Sequence, residues 1–196
     1  MRGVKQEAKN LLSKEQHIVL KSYLQIDPGS TKKHEDHIFM DKKNRLLDIE
    51  PAVLRVRSIN DTHTLEFKIP QPNGDVLKYS DVLNELEYDE LFSNKILLSE
   101  ATVFAALKER GIVEPFSRLG SITTIRSRAP FKNKWGAKIL LDQIWLTDKD
   151  FICKIKVETK DAARSQQILK EICELHDIPL VETPPKITLY YKTLGL

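Results

Sequence analysis

The chain has little cysteine and no long apolar segment. Its only cysteines are Cys153 and Cys173, and neither has a cysteine neighbour. Two such residues cannot build a disulfide scaffold, and their spacing fits no zinc knuckle. We therefore expect reduced, half-buried thiols in a cytoplasmic protein. The N-terminus has no apolar run of signal-peptide length, and no segment approaches the roughly 20 apolar residues of a membrane span, so we expect a soluble chain.

Several familiar catalytic patterns are also missing. The seven glycines are scattered and form no glycine-rich phosphate loop. No Ser/His/Asp or Cys/His order indicates nucleophilic catalysis. Only His34 and His37 have a spacing that could suit a metal, and we expect residues 30–37 to be a solvated, mobile loop. Charged residues, by contrast, make up 30% of the chain.

Alternation of apolar with charged residues is the main local pattern. A period of two is typical of a strand with one buried face. It predicts strands over 4–12, 53–59, 63–69, 121–128, 137–146, 152–158 and 186–192.

Helix signals lie between these strands. Ser13 and Gln16 form a capping box, and Gly111 suits the end of a helix. Further helices are predicted to start at Ser80, Ser99 and Thr159, and 71–75 is predicted to be a turn. The resulting order indicates an α+β fold with a largely antiparallel sheet, as one domain over 1–196.

The predicted strands concentrate positive charge on one face. The opposite, apolar faces can pack against helices. The charged faces carry eleven cations: Lys5, Lys9, Arg55, Arg57, Lys68, Arg126, Arg128, Lys138, Lys154, Lys156 and Lys186. They carry only four carboxylates: Glu7, Glu66, Asp142 and Glu158. This excess is larger than the formal net charge of +3 for the whole chain.

Such a concentration of like charge needs an explanation. Like charges directly opposite one another destabilise a sheet, so an anion is expected among them. If the sheet curls into a barrel, these faces line its interior. Arginine forks and lysine ammonium groups in such a space suit a chain of phosphates.

Seven short segments resemble, in order, the motifs of one known family. They are "KQEAKNLL", "VLRVR", "TLEFK", "LGSITTIRSR", "LLDQIWL", "ICKIKVE" and "PPKITLYY". Together they resemble the CYTH family, the triphosphate tunnel metalloenzymes, and its small soluble bacterial members most. The N-terminal segment resembles an E-x-E-x-K signature, and the last segment resembles the closing strand with its lysine.

The resemblance implies a fold and a site. The fold is an eight-stranded antiparallel β tunnel with helices packed outside. Glu7 and Lys9 are implied to be catalytic. Triphosphate ligands are implied at Lys9, Arg55, Arg57, Lys68, Arg126 and Lys186, with Lys5, Arg128, Lys138, Lys154 and Lys156 as further basic residues of the tunnel. One or two Mg²⁺ or Mn²⁺ ions are implied at Glu7, Asp142 and Glu158.

Three lysines depart from the family pattern. Lys5, Lys154 and Lys156 stand where the family has glutamates. Lysine has no acceptor to offer a metal, and its charge repels one. We therefore predict binding of a triphosphate-containing or polyphosphate ligand, with the lysines arguing against metal-assisted hydrolysis.

Other functions stay open at this point. The chain could be an active Mg²⁺- or Mn²⁺-dependent triphosphatase acting on inorganic triphosphate, thiamine triphosphate or a nucleotide, or an adenylate cyclase-like enzyme. A nucleic-acid-binding module is less favoured, because aromatic residues do not interleave with the basic ones. A monomer or a homodimer fits equally, and the sequence does not identify the ligand.

Overall fold

The computed structural model describes residues 6–41, 43, 45–49, 52–71, 76–93, 102–112, 115–130 and 132–196. Within these residues there are eight strands: β1 (Gln6–Leu12), β2 (Lys32–Asp41), β3 (Val53–Ile59), β4 (Thr62–Pro70), β5 (Val76–Leu83), β6 (Phe116–Arg128), β7 (Lys138–Trp145) and β8 (Phe151–Thr159). The same part of the chain contains six α-helices: α1 (Lys14–Tyr23), α2 (Arg45–Asp48), α3 (Glu85–Phe92), α4 (Thr102–Lys108), α5 (Ala162–Leu175) and α6 (Lys186–Thr193).

The eight strands form one sheet in the order β1-β8-β7-β6-β2-β3-β4-β5. The ladders that join β1 to β8, β7 to β8, β2 to β3, β3 to β4 and β4 to β5 are antiparallel. The predicted α+β class with an eight-stranded antiparallel sheet is confirmed. The chain divides into two compact units, and each is described by itself.

The first unit comprises Met1–Lys33 and Thr124–Pro184. Its core lies between α5 and the apolar faces of β1, β7 and β8. Ile139 on β7, Ile155 on β8 and Ile172 on α5 are fully buried there. Asn10 is also fully buried on this side of β1, where its side-chain amide donates to the Pro179 carbonyl and accepts from the Val181 N–H. These bonds satisfy the amide in an apolar setting.

The second unit comprises His34–Thr123 and Pro185–Leu196. Leu54 on β3 and Leu65 and Phe67 on β4 are buried on one face of these strands. The other face carries charge, because the register pairs Arg55 with Glu66 and Asp36 with Arg57. Period-two alternation therefore sorts the apolar and charged residues as the sequence predicts.

Two predicted elements are wrong. Residues 186–192 form α6 rather than a strand, with Ile187, Tyr190 and Tyr191 buried at helical spacing. Residues 32–41 form β2 rather than a solvated loop, and both His34 and His37 are buried on it.

Helix starts are only partly as predicted. Ser13 and Gln16 make the predicted capping box of α1. By contrast, α3 is capped by Asn84 rather than Ser80, because Ser80 lies in β5. Likewise, α5 is capped by Asp161 rather than Thr159. Ser99 and most of the predicted turn at 71–75 lie outside the described residues.

Two further sequence expectations can be compared with the structure. Both cysteines are free, and they are buried rather than half-buried. None of the helices in the described part of the chain has the length and apolar character needed to cross a membrane.

Candidate functional site

A charged cluster occupies the polar face of β2–β5 in the second unit. We call it the Asp36 cluster, and its members are Asp36, Arg55, Arg57, Glu66, Lys68, Lys78 and Lys186. Six of them come from the four neighbouring strands, where alternation brings them to one face. Lys186 joins them from the first turn of α6.

Asp36 is the fully buried carboxylate of this cluster. Arg57 donates to it through Nε at 2.7 Å and through Nη2 at 3.1 Å. Arg55 donates to it through Nη1 at 3.2 Å, and the Lys186 ammonium group also donates to it. Three cations therefore hold one carboxylate, and such charge-assisted bonds are about twice as strong as neutral ones.

Glu66 is the second buried carboxylate. Arg55 donates to its Oε2 from Nε at 2.8 Å and from Nη2 at 2.5 Å. The Lys78 ammonium lies 2.5 Å from Oε1, and the Lys68 ammonium lies 3.4 Å from Oε2. Arg55 thus bridges the two carboxylates, and its orientation is fixed on both sides.

The electrostatics of the Asp36 cluster follow from burial and crowding. Burial lowers the pKa of Lys186 to about 8, and Arg55 adds to this effect against the opposing charge of Asp36. Burial and Arg55 likewise lower the pKa of Lys68 to about 8. Burial alone would raise the pKa of Glu66, yet Arg55 and Lys68 lower it to about 2. The carboxylates are therefore firmly ionised, while two of the lysines hold their protons weakly.

A second charged cluster occupies the polar face of β1, β6, β7 and β8 in the first unit. We call it the Glu7 cluster, and its members are Glu7, Lys9, Arg126, Lys138, Asp142, Lys156 and Glu158. Glu7 and Glu158 face each other directly across the β1–β8 ladder, as do Lys9 and Lys156.

Ammonium groups separate the carboxylates of the Glu7 cluster. Lys156 contacts Oε2 of Glu7 and lies 3.2 Å from Oε1 of Glu158. Lys9 lies 2.5 Å from Oε1 of Glu7, and Lys138 lies 2.7 Å from Oε2 of Glu158. Burial alone would raise the pKa of Glu7, yet Lys156 and Lys9 lower it to about 2.

Arg126 and Asp142 form a separate two-point pair in the same cluster. Arg126 donates from Nε at 2.7 Å and from Nη2 at 2.6 Å to the two oxygens of Asp142. Asp142 is buried, and Lys154 is its partner across the β7–β8 ladder. Lys154 itself is buried. It lies on the same face of β8 as Lys156, because the alternate residues Ile155 and Val157 face the core.

Comparison with known proteins places these residues in a family. A family model of the CYTH domain matches residues 5–191. The chain belongs to the CYTH domain family. Among curated proteins, no sequence match to this chain was found.

Solved structures support the same fold. A candidate adenylate cyclase from Bacillus halodurans is 24% identical, with a TM-score of 0.81 over 95% of this chain and 98% of that one. A candidate adenylyl cyclase from Hippeastrum, whose structure is described as revealing a dominant triphosphatase activity, is 18% identical, with a TM-score of 0.79 over 96% of this chain and 95% of that one. A protein from Pyrococcus horikoshii is 16% identical, with a TM-score of 0.58 over 95% of this chain and 99% of that one. At these identities the likeness establishes the CYTH fold.

The CYTH resemblance implies a divalent metal at Glu7, Asp142 and Glu158, and the geometry does not suit one. All three carboxylates are engaged by cations of this chain, as described above. Within the part of the chain that the structure describes, no group of three or more His, Cys, Asp or Glu side chains is placed to share a metal ion. Mg²⁺ requires oxygen ligands in near-octahedral geometry, which these paired carboxylates do not offer.

The structure brings the predicted site residues into two groups. Arg55, Arg57, Lys68 and Lys186 lie in the Asp36 cluster, and Glu7, Lys9, Arg126, Lys138, Asp142, Lys156 and Glu158 lie in the Glu7 cluster. Lys154 and Arg128 lie on β8 and β6 of the first unit. Lys5 lies outside the described residues.

Two members of the Asp36 cluster are missing from the sequence prediction. Asp36 is absent from it because residues 30–37 are predicted as a loop, and Lys78 because β5 carries no strong alternation. The signal for Asp36 is present nonetheless, since "HIFM" after it is an apolar run with the length and composition of a strand end.

Proposed function

We propose that this CYTH protein binds a triphosphate-containing or polyphosphate ligand through the cations of the Asp36 cluster. The observation that carries this proposal is the charge count: among the residues that the structure describes, five cations surround two carboxylates. An excess of three positive charges in a partly buried cluster is costly unless a polyanion neutralises it. A phosphate chain supplies that charge together with many acceptor oxygens.

Each cation has a distinct part in this proposal. Arg57 is partly exposed, so its guanidinium offers donors to a ligand while Asp36 holds it in place. Lys68 and Lys78 are the more accessible ammonium groups, and they act as point charges. Arg55 is almost fully buried between the two carboxylates, so it positions its neighbours as much as it meets phosphate.

The Glu7 cluster extends the proposal to the first unit. Lys9 and Arg126 are proposed phosphate ligands there, with Lys138, Lys154, Lys156 and Arg128 as supporting cations, and Lys5 is proposed from the sequence alone. Support comes from the placement of the described cations on one face of β1, β6, β7 and β8 and from membership of the CYTH family. The Hippeastrum protein of similar fold is described as revealing a dominant triphosphatase activity.

Isothermal titration calorimetry with tripolyphosphate tests the proposal. We expect saturable binding, with much weaker binding of sulfate at the same ionic strength. Lys68→Gln and Lys78→Gln should each weaken the affinity about tenfold or more, because a hydrogen bond to a charged group is worth about 1.5–3 kcal/mol. Lys132→Gln, which removes a cation from an exposed position in the other unit, is the control and should bind as the unaltered chain does.

Absence of saturable binding would reject the proposal, as would equal weakening by Lys68→Gln and Lys132→Gln. The second result would indicate that the ligand responds only to net charge.

A metal-dependent triphosphatase is the second candidate function. The described activity of the Hippeastrum protein favours it, and Glu7 and Lys9 are the residues that it would use. Phosphate release from tripolyphosphate, thiamine triphosphate or ATP, with Mg²⁺ or Mn²⁺ present, measures it directly. Because the carboxylates of the Glu7 cluster are held by cations, we expect release close to the uncatalysed rate with either metal.

A further inference from the structure

Lys156 does more in the Glu7 cluster than add positive charge, because it lies between two carboxylates. Glu7 and Glu158 lie directly opposite one another on β1 and β8. Two carboxylates in that arrangement repel unless a cation lies between them. The Lys156 ammonium is that cation, since it contacts one oxygen of each, and only 17% of its side chain is exposed.

The remaining oxygens of the two carboxylates are also occupied. Lys9 contacts the second oxygen of Glu7, and Lys138 contacts the second oxygen of Glu158. All four oxygens are therefore bonded to ammonium groups of this chain. A divalent ion here would share these oxygens with ammonium groups, whose positive charge repels it and which have no acceptor to offer the ion.

We propose that Lys156 is a built-in cation that joins Glu7 and Glu158 as a divalent metal would, and that polyphosphate binding at the Glu7 cluster needs no metal. The inference rests on the proposed function for its ligand, but its claim about the metal can be measured without that ligand. Under this proposal Lys156 is a positioning residue, because it holds the two carboxylates that Lys9 and Lys138 contact on the same face.

The first experiment measures the metal alone. Mn²⁺ is titrated into the unaltered protein and into Lys156→Glu, and the free ion is followed by electron paramagnetic resonance. Lys156→Glu replaces the ammonium with a carboxylate beside Glu7 and Glu158, which creates the oxygen-rich set that Mn²⁺ and Mg²⁺ prefer. We expect no saturable Mn²⁺ binding by the unaltered chain and one ion bound per chain in the variant.

Two control variants separate charge from ligand chemistry. Lys156→Met removes the cation and frees one oxygen of each glutamate without adding a donor, so it should bind Mn²⁺ more weakly than Lys156→Glu does. Lys170→Glu makes the same charge change on the exposed surface of α5, where Lys170 pairs with Glu174, and it should behave as the unaltered chain. If Lys156→Glu is too unstable to purify, Lys156→Asp offers a shorter carboxylate for the same measurement.

The second experiment measures tripolyphosphate affinity by calorimetry, with EDTA and with Mg²⁺. For the unaltered chain we expect binding with EDTA at least as tight as binding with Mg²⁺. For Lys156→Met we expect about tenfold weaker binding with EDTA, equivalent to about 1.4 kcal/mol. Lys156→Glu should bind more weakly still with EDTA and should regain affinity when Mg²⁺ is present.

The outcomes distinguish this inference from the proposed function. Tripolyphosphate binding that requires Mg²⁺ in the unaltered chain would leave the proposed function standing and overturn the inference. Saturable Mn²⁺ binding by the unaltered chain would also overturn it, as would equal Mn²⁺ binding by Lys156→Glu and Lys170→Glu. Failure to bind tripolyphosphate under any condition would instead remove the proposed function, while the Mn²⁺ comparison would still decide the role of Lys156.

Discussion

Asp36 shows how one side chain can set the stability of a whole cluster. It is fully buried and accepts from Arg55, Arg57 and Lys186. Burial alone would raise the pKa of this carboxyl group, yet the surrounding cations hold it well below its usual range. A folded-state pKa below the unfolded value contributes stability above the unfolded value, and that stability is lost as the pH falls. Asp36 therefore stabilises the protein at neutral pH.

We predict that Asp36→Asn is strongly destabilising and is rescued by a polyanion. Loss of a buried ion-pair partner costs about 3–5 kcal/mol, because the remaining charges stay buried. Urea unfolding should show a loss of that size at neutral pH. Tripolyphosphate should raise the melting temperature of the variant more than that of the unaltered chain, since it replaces the missing negative charge. Asp148→Asn, on an exposed turn, is the control and should change neither the free energy of unfolding nor the rise in melting temperature with tripolyphosphate.

We also predict that tripolyphosphate affinity falls as the pH rises from 7 to about 9.5. Lys68 and Lys186 each have a pKa of about 8 in the folded protein, below the usual 10.5. Both are charged at pH 7 and lose charge through this interval, so they attract phosphate less. Calorimetry at a series of pH values measures the profile.

Lys68→Met provides the check on this explanation, because it removes one of the two titrating groups and should flatten the profile. The titration of these lysines does not unfold the protein as the pH rises, so unfolding through them cannot cause the fall in affinity. Since their folded pKa lies below the unfolded one, the unfolded chain binds more protons between about pH 8 and 10.5, and their contribution to stability rises there. An unchanged profile in Lys68→Met would argue against their role.

At the scale of elements, α6 depends on a close approach to β6. Gly120 on β6 has φ of +152°, and a Cβ atom there would collide with the hydroxyl oxygen of Tyr190 on α6. Tyr190 is buried, so its ring has little room to withdraw. Glycine at 120 thus permits the packing that also brings Lys186 to Asp36.

We predict that Gly120→Ala destabilises the protein by about 1–3 kcal/mol, the usual cost of overpacking a filled site. Tyr190→Phe removes the atom that is struck, and the next atom of the ring lies 3.6 Å from the added Cβ. The double variant should therefore lose less than the sum of the two single variants. Urea unfolding of all four proteins gives the coupling, and strict additivity would contradict the predicted collision.

The sequence determines some elements better than others. Strands with a strict apolar and charged alternation, such as β3 and β8, are predicted within a residue or two, and so are their charged faces. Residues 186–192 satisfy both periods: Ile187 and Leu189 suit a strand, whereas Ile187, Tyr190 and Tyr191 suit a helix face. Local pattern cannot choose between them, and the packing of Tyr190 against β6 does.

The composition of the Asp36 cluster was harder to predict for a related reason. Asp36 lies among charged and histidine residues that locally favour a loop. It is buried because Arg55, Arg57 and Lys186 reach it from distant parts of the chain. In the Glu7 cluster, by contrast, the alternation of β1 and β8 predicts the shared face of Lys9, Lys156 and Glu158, although not which carboxylate each ammonium contacts.

At the scale of the whole molecule, the rate at which the two cysteine thiols react measures how often the protein unfolds. Cys153 and Cys173 are buried and free. Burial also raises the pKa of Cys173 to about 11, which suppresses the reactive thiolate. We predict that a thiol reagent such as Ellman's reagent labels the native protein slowly and labels both residues rapidly in urea.

The rate of this labelling should track stability. Asp36→Asn should accelerate it if the chain unfolds as one cooperative body, because the transient unfolded population rises with loss of stability. Rapid labelling of the unaltered protein in the absence of urea would contradict the burial of the thiols.

The bonds of Asn10 and the pairing of β1 determine when the first unit can assemble during synthesis. β1 ends at Leu12, but its partner β8 begins at Phe151. At roughly 5–20 residues per second, β1 leaves the ribosome on the order of 10 s before that partner is made. During this interval Asn10 has neither Pro179 nor Val181 to bond. The first unit can therefore assemble only after Pro179 and Val181 have been made, and Asp36 in the second unit likewise waits for Lys186.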